Sequence, residues 1–185
     1  MKKYELTEET VTVYGKTLYR IRAVRDFGSV KTGEFGGYIE KEENLSHFGN
    51  AWVSGNAWVF DNARVYDNAW VFGNAWVFDN ARVYDDTWVY GDAKVYGDAW
   101  VSGNAEVFNT RHFFVQGPIG SRNGFITFYR TKDNTVEVRC GCFSGSLQKF
   151  VDRVEETHGG SRYEKEYKLA AELAKVCIRL EGESR

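Results

Sequence analysis

Proline and methionine are almost missing, with one of each in 185 residues. That excludes a proline-rich linker and a flexible methionine-rich binding surface. Cysteine is scarce and odd in number: Cys140, Cys142 and Cys177 contain no C-x-x-C pair. Free thiols are therefore expected rather than a disulfide framework or a structural zinc site. No apolar run approaches the roughly 18 residues of a membrane span, and the start Met1-Lys2-Lys3-Tyr4-Glu5 lacks the apolar segment of a signal peptide, so a cytoplasmic protein is expected. Charge of one sign is absent too. With 24 Lys and Arg against 26 Asp and Glu, the balance of −2 argues against a duplex nucleic-acid binder and against an acidic tail. Aromatic residues are what the chain has in excess: 6 Trp, 11 Tyr and 13 Phe, or 16% of all residues. An ordered structure must bury many of these rings.

From Ala51 to Thr110 the sequence runs as ten hexapeptides of the form A-[W/R/K/E]-V-[F/Y/S]-[G/D/N]-[N/D/T], broken in the Ala column only by Thr87. Alternation within a unit puts Ala and Val on one side and the Trp or Arg with its Phe or Tyr on the other. The Gly/Asp/Asn pair supplies a corner. A longer period sits above the first, because Trp52–Ala69 and Trp70–Thr87 are nearly the same 18-mer. Three strands therefore make one coil. Coils stacked about 4.8 Å apart satisfy the backbone along the axis, and only side chains as small as Ala and Val fill the narrow triangular prism they enclose.

Reading every eighteenth residue gives three unequal outer faces. The first carries Trp52, Trp70, Trp88 and Glu106 with Ser54, Phe72, Tyr90 and Phe108. The second carries Trp58, Trp76 and Lys94 with Phe60, Phe78 and Tyr96. The third carries Arg64, Arg82 and Trp100 with Tyr66, Tyr84 and Ser102, a cationic and aromatic edge that can stay wet. At roughly 150–250 Å² per large ring, the five Trp of the first two faces expose about 1,000 Å², more than soluble monomers tolerate. Those faces are expected to be covered, with Trp52, Trp58, Trp70, Trp76 and Trp88 as interface residues. The alternative is that the rings stack along each ladder and stabilise the fold.

The flanks differ from the repeat. Residues 10–23 alternate around Tyr14-Gly15-Lys16 and read as a β-hairpin capping the open end of the prism. After Thr110 the period stops and the charge changes sign: residues 51–110 hold 3 basic and 8 acidic residues, residues 111–185 hold 13 and 10. Phe113–Gln116, Gly124–Arg130 and Thr135–Cys140 read as strands. Ser146 then caps a helix with Leu147, Phe150, Val151 and Val154 on one stripe, ended by His158-Gly159-Gly160, and a second helix runs from about Arg162 to Leu180. The expected architecture is mainly β: an N-terminal hairpin cap (1–29), a β-helix of about four triangular coils (30–110) and a small C-terminal α+β domain (111–185) made of a ββ-hairpin and two helices.

The hexapeptide run resembles the hexapeptide-repeat proteins, strongly over 51–110 and loosely over 30–50, where Ile39 and Leu45 fall in the Ala column of the same frame. The resemblance implies the left-handed parallel β-helix, an exception to the right-handed crossover, and a homotrimer about an axis parallel to the prism. Gly36-Gly37-Tyr38-Ile39-Glu40-Lys41-Glu42-Glu43-Asn44-Leu45-Ser46, together with Gly117-Pro118-Ile119-Gly120-Ser121-Arg122-Asn123 and Gly141-Cys142-Phe143, resembles phage and prophage proteins of this class. That implies a viral accessory role in a bacterial host cell. Acyltransferases with a histidine base and γ-class carbonic anhydrases with three zinc-bound His share the fold. The ten clear repeats hold no His. His47 falls in the Val column of the first coil as a structural residue, and His158 ends a helix, where the dipole favours an imidazolium. His112 stays open, because it begins the strand leading to the most site-like loop.

That loop, 117–124, has glycines that free amides to converge on an anion, with Ser121 and Arg122 as further donors. A tight turn between strands explains the glycines equally well. If Ile126, Phe128, Val136 and Val138 pack inward, the opposite sheet face presents Phe125, Thr127, Tyr129, Glu137 and Arg139. Such a face can stack a base and pair a phosphate, or form a dry subunit contact. Cys140-Gly141-Cys142 has no neighbouring base to activate a thiolate. The expected function is a non-catalytic, homotrimeric protein that binds or sequesters a small anionic, nucleotide-like ligand, in a phage setting to counter host defence. Its candidate ligand residues are His112, Ser121, Arg122, Thr127, Tyr129 and Arg139, with no cofactor and no metal. The alternatives are a spacer that grips a host protein through the Arg64/Arg82/Tyr66/Tyr84 edge or the C-terminal helices, and an acyltransferase.

Overall fold

The structure, a computed structural model describing residues 2–182, turns each hexapeptide into one short strand and one corner. The chain starts with β1 (Tyr4–Val13), β2 (Lys16–Ala23) and β3 (Phe35–Ile39). Two-residue strands follow: β4 (Trp52–Val53), β5 (Trp58–Val59), β6 (Arg64–Val65), β7 (Trp70–Val71), β8 (Trp76–Val77), β9 (Arg82–Val83), β10 (Trp88–Val89), β11 (Lys94–Val95), β12 (Trp100–Val101) and β13 (Glu106–Val107). Each pairs in parallel with the strand 18 residues on, so that Trp52, Trp70, Trp88 and Glu106 form one column and Arg64, Arg82 and Trp100 another. Backbone bonds such as Trp58 N–H to the Ala75 carbonyl (2.9 Å) and Arg82 N–H to the Ala99 carbonyl (2.8 Å) tie coil to coil. Ala and Val of the repeat line the interior at 0% exposure. The result is a β-solenoid of about four turns.

The first coil departs from the expected frame. Ile39 pairs with Val59 and Leu45 bridges Val65, so both occupy the Val column rather than the Ala column, two residues out of step. The slack is absorbed at the next corner. Asn50 N–H and Ala51 N–H both donate to the Asp67 carbonyl, at 2.8 Å each. Gly49 there has φ +68°, and a Cβ on it would lie 2.3 Å from that same oxygen. His47 is thereby moved out of the Val column and stacks on Tyr4 with ring centroids 4.3 Å apart.

The N-terminal hairpin extends one solenoid face. β1 and β2 are antiparallel, β2 is antiparallel to β3, and β3 runs parallel to β5. Polar side chains take up backbone carbonyls of the first turns: Lys3 Nζ donates to Ala51 O (2.6 Å) and Tyr4 Oη to Leu45 O (2.7 Å). Burial draws the Lys3 amine down to about 8. Trp52 is covered by its own chain, with Phe27 at 5.3 Å and Tyr4 at 6.4 Å, and is 2% exposed. It is therefore not an intersubunit residue, which corrects the expectation from the bare column.

Beyond the solenoid, β14 (Phe113–Ile119), β15 (Gly124–Arg130), β16 (Val136–Cys140) and β17 (Phe143–Ser146) form an antiparallel meander, followed by α1 (Leu147–His158) and α2 (Arg162–Cys177). The fourth strand was not expected. Cys140-Gly141-Cys142 is the turn that makes it, with Cys140 opposite Phe143 and Gly141 at φ +57°. Ile126, Phe128 and Val138 face Phe150, Val154, Tyr167 and Ala171 of the helices. The other sheet face lies on the last coil. Thr127 Oγ1 accepts from Trp100 N–H (3.0 Å), closing an edge donor, and buried Arg130 pairs with Glu106 (2.6 Å) and Glu181 (3.2 Å).

Aromatic columns explain this seating. Tyr66 and Tyr84 stack 4.9 Å apart and nearly parallel, but the third member of that column is Ser102. Tyr129 from β15 meets Ser102 there, Oη to Oγ 3.3 Å, and is 0% exposed. Removing the ring should open a cavity in the joint. Tyr129→Ala is expected to lose about 3–5 kcal/mol of unfolding free energy and Tyr129→Phe only about 1. Urea titration checks this, and a loss below about 1 kcal/mol in the alanine variant would show that the ring does not hold the joint.

Candidate functional site

The third solenoid face and the C-terminal sheet meet in a cleft of about 660 Å³. The repeat contributes Arg64, Arg82 and Trp100 on three successive rungs, with the corner residues Asn62, Asn80 and Asp98; the sheet contributes Arg122, Phe125, Thr127 and Arg139. The 18-residue spacing holds the first set in line. Thr127 and Arg139 lie opposite each other in the β15/β16 pairing, which fixes the second set.

Four guanidiniums and one carboxylate therefore line one hollow. Among the described residues no guanidinium of Arg64, Arg82, Arg122 or Arg139 is hydrogen-bonded or ion-paired to a neighbour. Rings hold two of them: Arg82 lies 4.7 Å and Arg139 5.7 Å from the Trp100 ring, and Arg139 is 6.0 Å from Tyr84. A cation–π contact orients a guanidinium without using its N–H groups, about five per Arg. Arg139 Nε is buried and unbonded, as is Tyr84 Oη. Asp98 is engaged from the side, accepting from Asn80 Nδ2 (3.0 Å), while Asn80 Oδ1 accepts from Asn62 (3.2 Å). The cleft is thus rich in free cationic donors, flanked by Phe125, which is 41% exposed. Its chemistry suits an anion that also offers a planar group.

Of the sequence-derived candidates, Arg122, Thr127 and Arg139 reach this cleft. Tyr129 does not: its ring is sealed between sheet and solenoid, so it is no stacking platform. Ser121 is exposed outside the lining. The glycine loop is not an open anion nest, because Gly120 N–H donates to the Glu166 carboxylate at 2.7 Å, which fills the place of an anion. His112 sits beneath Phe108, accepting from Phe108 N–H at Nδ1 (3.4 Å) with ring centroids 4.2 Å apart. It closes the end of the solenoid and is absent from the cleft. His158 packs against Tyr163 and Tyr167. Sequence reasoning had placed Arg64, Arg82 and Trp100 on one face but not beside Arg139. The signal was the Ser102 gap, which asks for a ring from elsewhere in the chain.

Among the described residues no helix is long and apolar enough to cross a membrane. The remaining Trp columns are half-covered: Trp58 and Trp76 stack at 4.6 Å, Lys132 Nζ lies 4.4 Å over Trp88, and Trp88 stays 43% exposed.

Burial, with Arg130 nearby, lowers the His112 pKa to about 4 from 6.5. The native state then binds fewer protons than the unfolded chain between those values. This stability is present above pH 6.5 and is lost as pH falls toward 4, at up to about 1.4 kcal/mol per unit. His112→Asn is expected to flatten that limb, as measured by urea unfolding at pH 7 and 4.5. Identical pH dependence in the variant and the parent would remove His112 as the source.

A family model described as YdcK Beta solenoid repeat matches residues 63–79 and 75–91. No curated protein matches the chain. Both matched segments lie in the most regular part of the repeat, the first containing Arg64 and the second Arg82, and they support a β-solenoid, in agreement with the coil-to-coil pairing.

Proposed function

We propose that the protein is a non-catalytic binding protein that holds or sequesters a phosphate-bearing, nucleotide-like anion in the cleft between the solenoid and the C-terminal sheet. The observation that carries this reading is the set of four carboxylate-free arginines around Trp100, with one acid among them. Structural arginines in this protein look different: Arg130 is buried and satisfied by Glu106, Glu181 and Asn134. Like charges brought together without partners repel, and an anion bound among them relieves that repulsion while taking several charge-assisted bonds. The reading moves the site from the C-terminal part alone to its junction with the repeat. An accessory role that withdraws such a ligand from a host fits this chemistry.

The same proposal includes a left-handed coil and a homotrimer. Supporting the latter, Trp88 and Tyr96 are more than two-fifths exposed. Beside Ser54, where the Phe72 column lacks a ring, an apolar hollow of about 480 Å³ opens between Trp70, Phe72, Trp88 and the 28–29 segment. A partner subunit is the cover that would remove these rings from water.

Two measurements test the reading. Calorimetry with pyrophosphate and with a nucleoside triphosphate at low salt should detect binding, weakened about tenfold to a hundredfold by Arg82→Ala or Arg139→Ala; undiminished affinity in both variants removes the cleft as the site. Sedimentation of the parent protein should give a trimer, and paired Trp70→Ser and Trp76→Ser replacement should yield monomer or aggregate. A soluble monomeric parent would end the trimer proposal.

A further inference from the structure

The cleft does not stop at Trp100. Two smaller hollows, of about 280 and 240 Å³, continue from it down the third face, and all three are lined by Arg64. One adds Glu43, Ser46 and Tyr66 and shares Arg82 with the cleft; the other adds Lys41 and Glu43 and shares Asn62 with it. Ser46 N–H donates to the Val65 carbonyl, so these residues belong to the rung below Arg64. The trough therefore crosses four rungs, roughly 14 Å at 4.8 Å per step, before it reaches the sheet residues Arg122 and Arg139. Its cations follow one another along the axis instead of converging on one point. Lys41, Arg64, Arg82, Arg122 and Arg139 stand against Glu43 and Asp98. Rings run beside them, as Tyr66 and Tyr84 form a stacked pair on the rungs of Arg64 and Arg82, Trp100 lies 4.7 Å from Arg82 and 5.7 Å from Arg139, and Phe125 lines the upper cleft.

A line of positive charge interleaved with aromatic surfaces is the arrangement that holds single-stranded nucleic acid, phosphates on the cations and bases on the rings. A mononucleotide needs only one end of such a trough. Resting on the anion-binding reading of the upper cleft, we propose that the ligand is a short single-stranded oligonucleotide of roughly three to six residues, given a rise of about 3.4 Å per stacked nucleotide. Its phosphates track Arg64, Arg82 and Arg139, and its bases lie against Tyr66 and Phe125. Of the neutral polar side chains in the lining, Asn62, Asn80, Thr127 and Ser46 are already engaged within the fold, which leaves chiefly the Tyr66 hydroxyl and the Trp100 indole N–H, so sequence preference is expected to be slight. A duplex keeps its bases paired and away from the rings, and is expected to bind poorly.

The test is a length series of fluorescently tagged oligonucleotides from one to eight residues, with a hairpin duplex and pyrophosphate alongside, measured by anisotropy and calorimetry at several salt concentrations. Affinity should rise at least tenfold from one residue to four and level off by about six. The logarithm of the binding constant should fall with the logarithm of salt at a slope near −2, for about three phosphates neutralised at −0.7 each, and Arg64→Ala should make the slope shallower by about 0.7. The length series on the parent protein decides the matter even if that variant folds poorly. Affinity that is flat with length, with pyrophosphate binding equally well and Arg64→Ala without effect, overturns the oligonucleotide and leaves the anion cleft standing. Duplex binding equal to that of the single strand also overturns it. No binding of any of these anions at 50 mM salt overturns both.

Discussion

Coil-to-coil hydrogen bonding at a fixed 18-residue register is the constraint on which the rest depends. Because each strand bonds to its neighbour one turn on, any residue at one position is stacked about 4.8 Å from its equivalents. Inside, this demands small side chains, and Ala and Val meet it. Outside, it turns a repeated aromatic into a ladder and a repeated arginine into a row. Corners follow the same rule: Asn50, Asn68 and Asp86 form one amide ladder, and Asn56, Asn74 and Asp92 another, so each corner amide bonds to the turn above. Asp61, Asp67, Asp79 and Asp85 adopt left-handed backbone near φ +57° to +59°, a conformation Asp tolerates better than most residues. In the last turn glycine takes this place at 97 and 103, and their amides donate down to Asp79 and Asp85.

A periodic stack has no natural end, so its terminal turns need side chains from outside the repeat. Lys3 and Tyr4 meet carbonyls at the start, and Thr127 and His112 meet amides at the finish. The candidate cleft lies where the repeat is interrupted for this purpose. Ser102 leaves room for Tyr129, Tyr129 brings β15 down onto the last turn, and the neighbouring strand then delivers Arg139 to the face that already carries Arg82. A seat made for stability thereby creates the cleft.

The solenoid could be read from the sequence because its signal is repeated ten times, each copy confirming the others. The first coil could not be placed in register, since it contributes one imperfect copy and the two-residue slip at Gly49 leaves no periodic trace. Likewise β17 hides in Phe143-Ser144-Gly145-Ser146, too short and too polar to read as a strand until Gly141 is seen to turn. Arg122, Thr127 and Arg139, singled out in the sequence by their chemistry and alternation, all line the candidate cleft. Alternation misassigns Tyr129 because it tells which residues share a face, and is silent on whether that face meets water or the chain's own solenoid. The loop at 117–124 misled for a related reason. Glycine frees an amide, but a carboxylate 46 residues away in α2, Glu166, had already taken the one at Gly120.

Charge distribution separates the arginines that assemble the protein from those that serve the cleft. The repeat is acidic and the C-terminal part basic, so attraction across the joint accounts for part of the excess: Arg130 meets Glu106, and Lys132 reaches the Asp86 carbonyl and the Trp88 ring. Breaking a buried pair of the Arg130 kind costs about 3–5 kcal/mol, which marks it as a structural bond. Arg122 and Arg139 carry the same charge toward the same acidic repeat, yet the one carboxylate lining the cleft with them, Asp98, accepts a hydrogen bond from Asn80. What faces them instead is a row of two arginines and an indole. Attraction to the repeat as a whole brings the sheet in, while the local row repels its arginines, and the balance leaves four cations lining one cleft with a single carboxylate among them, the imbalance on which the proposed anion binding rests.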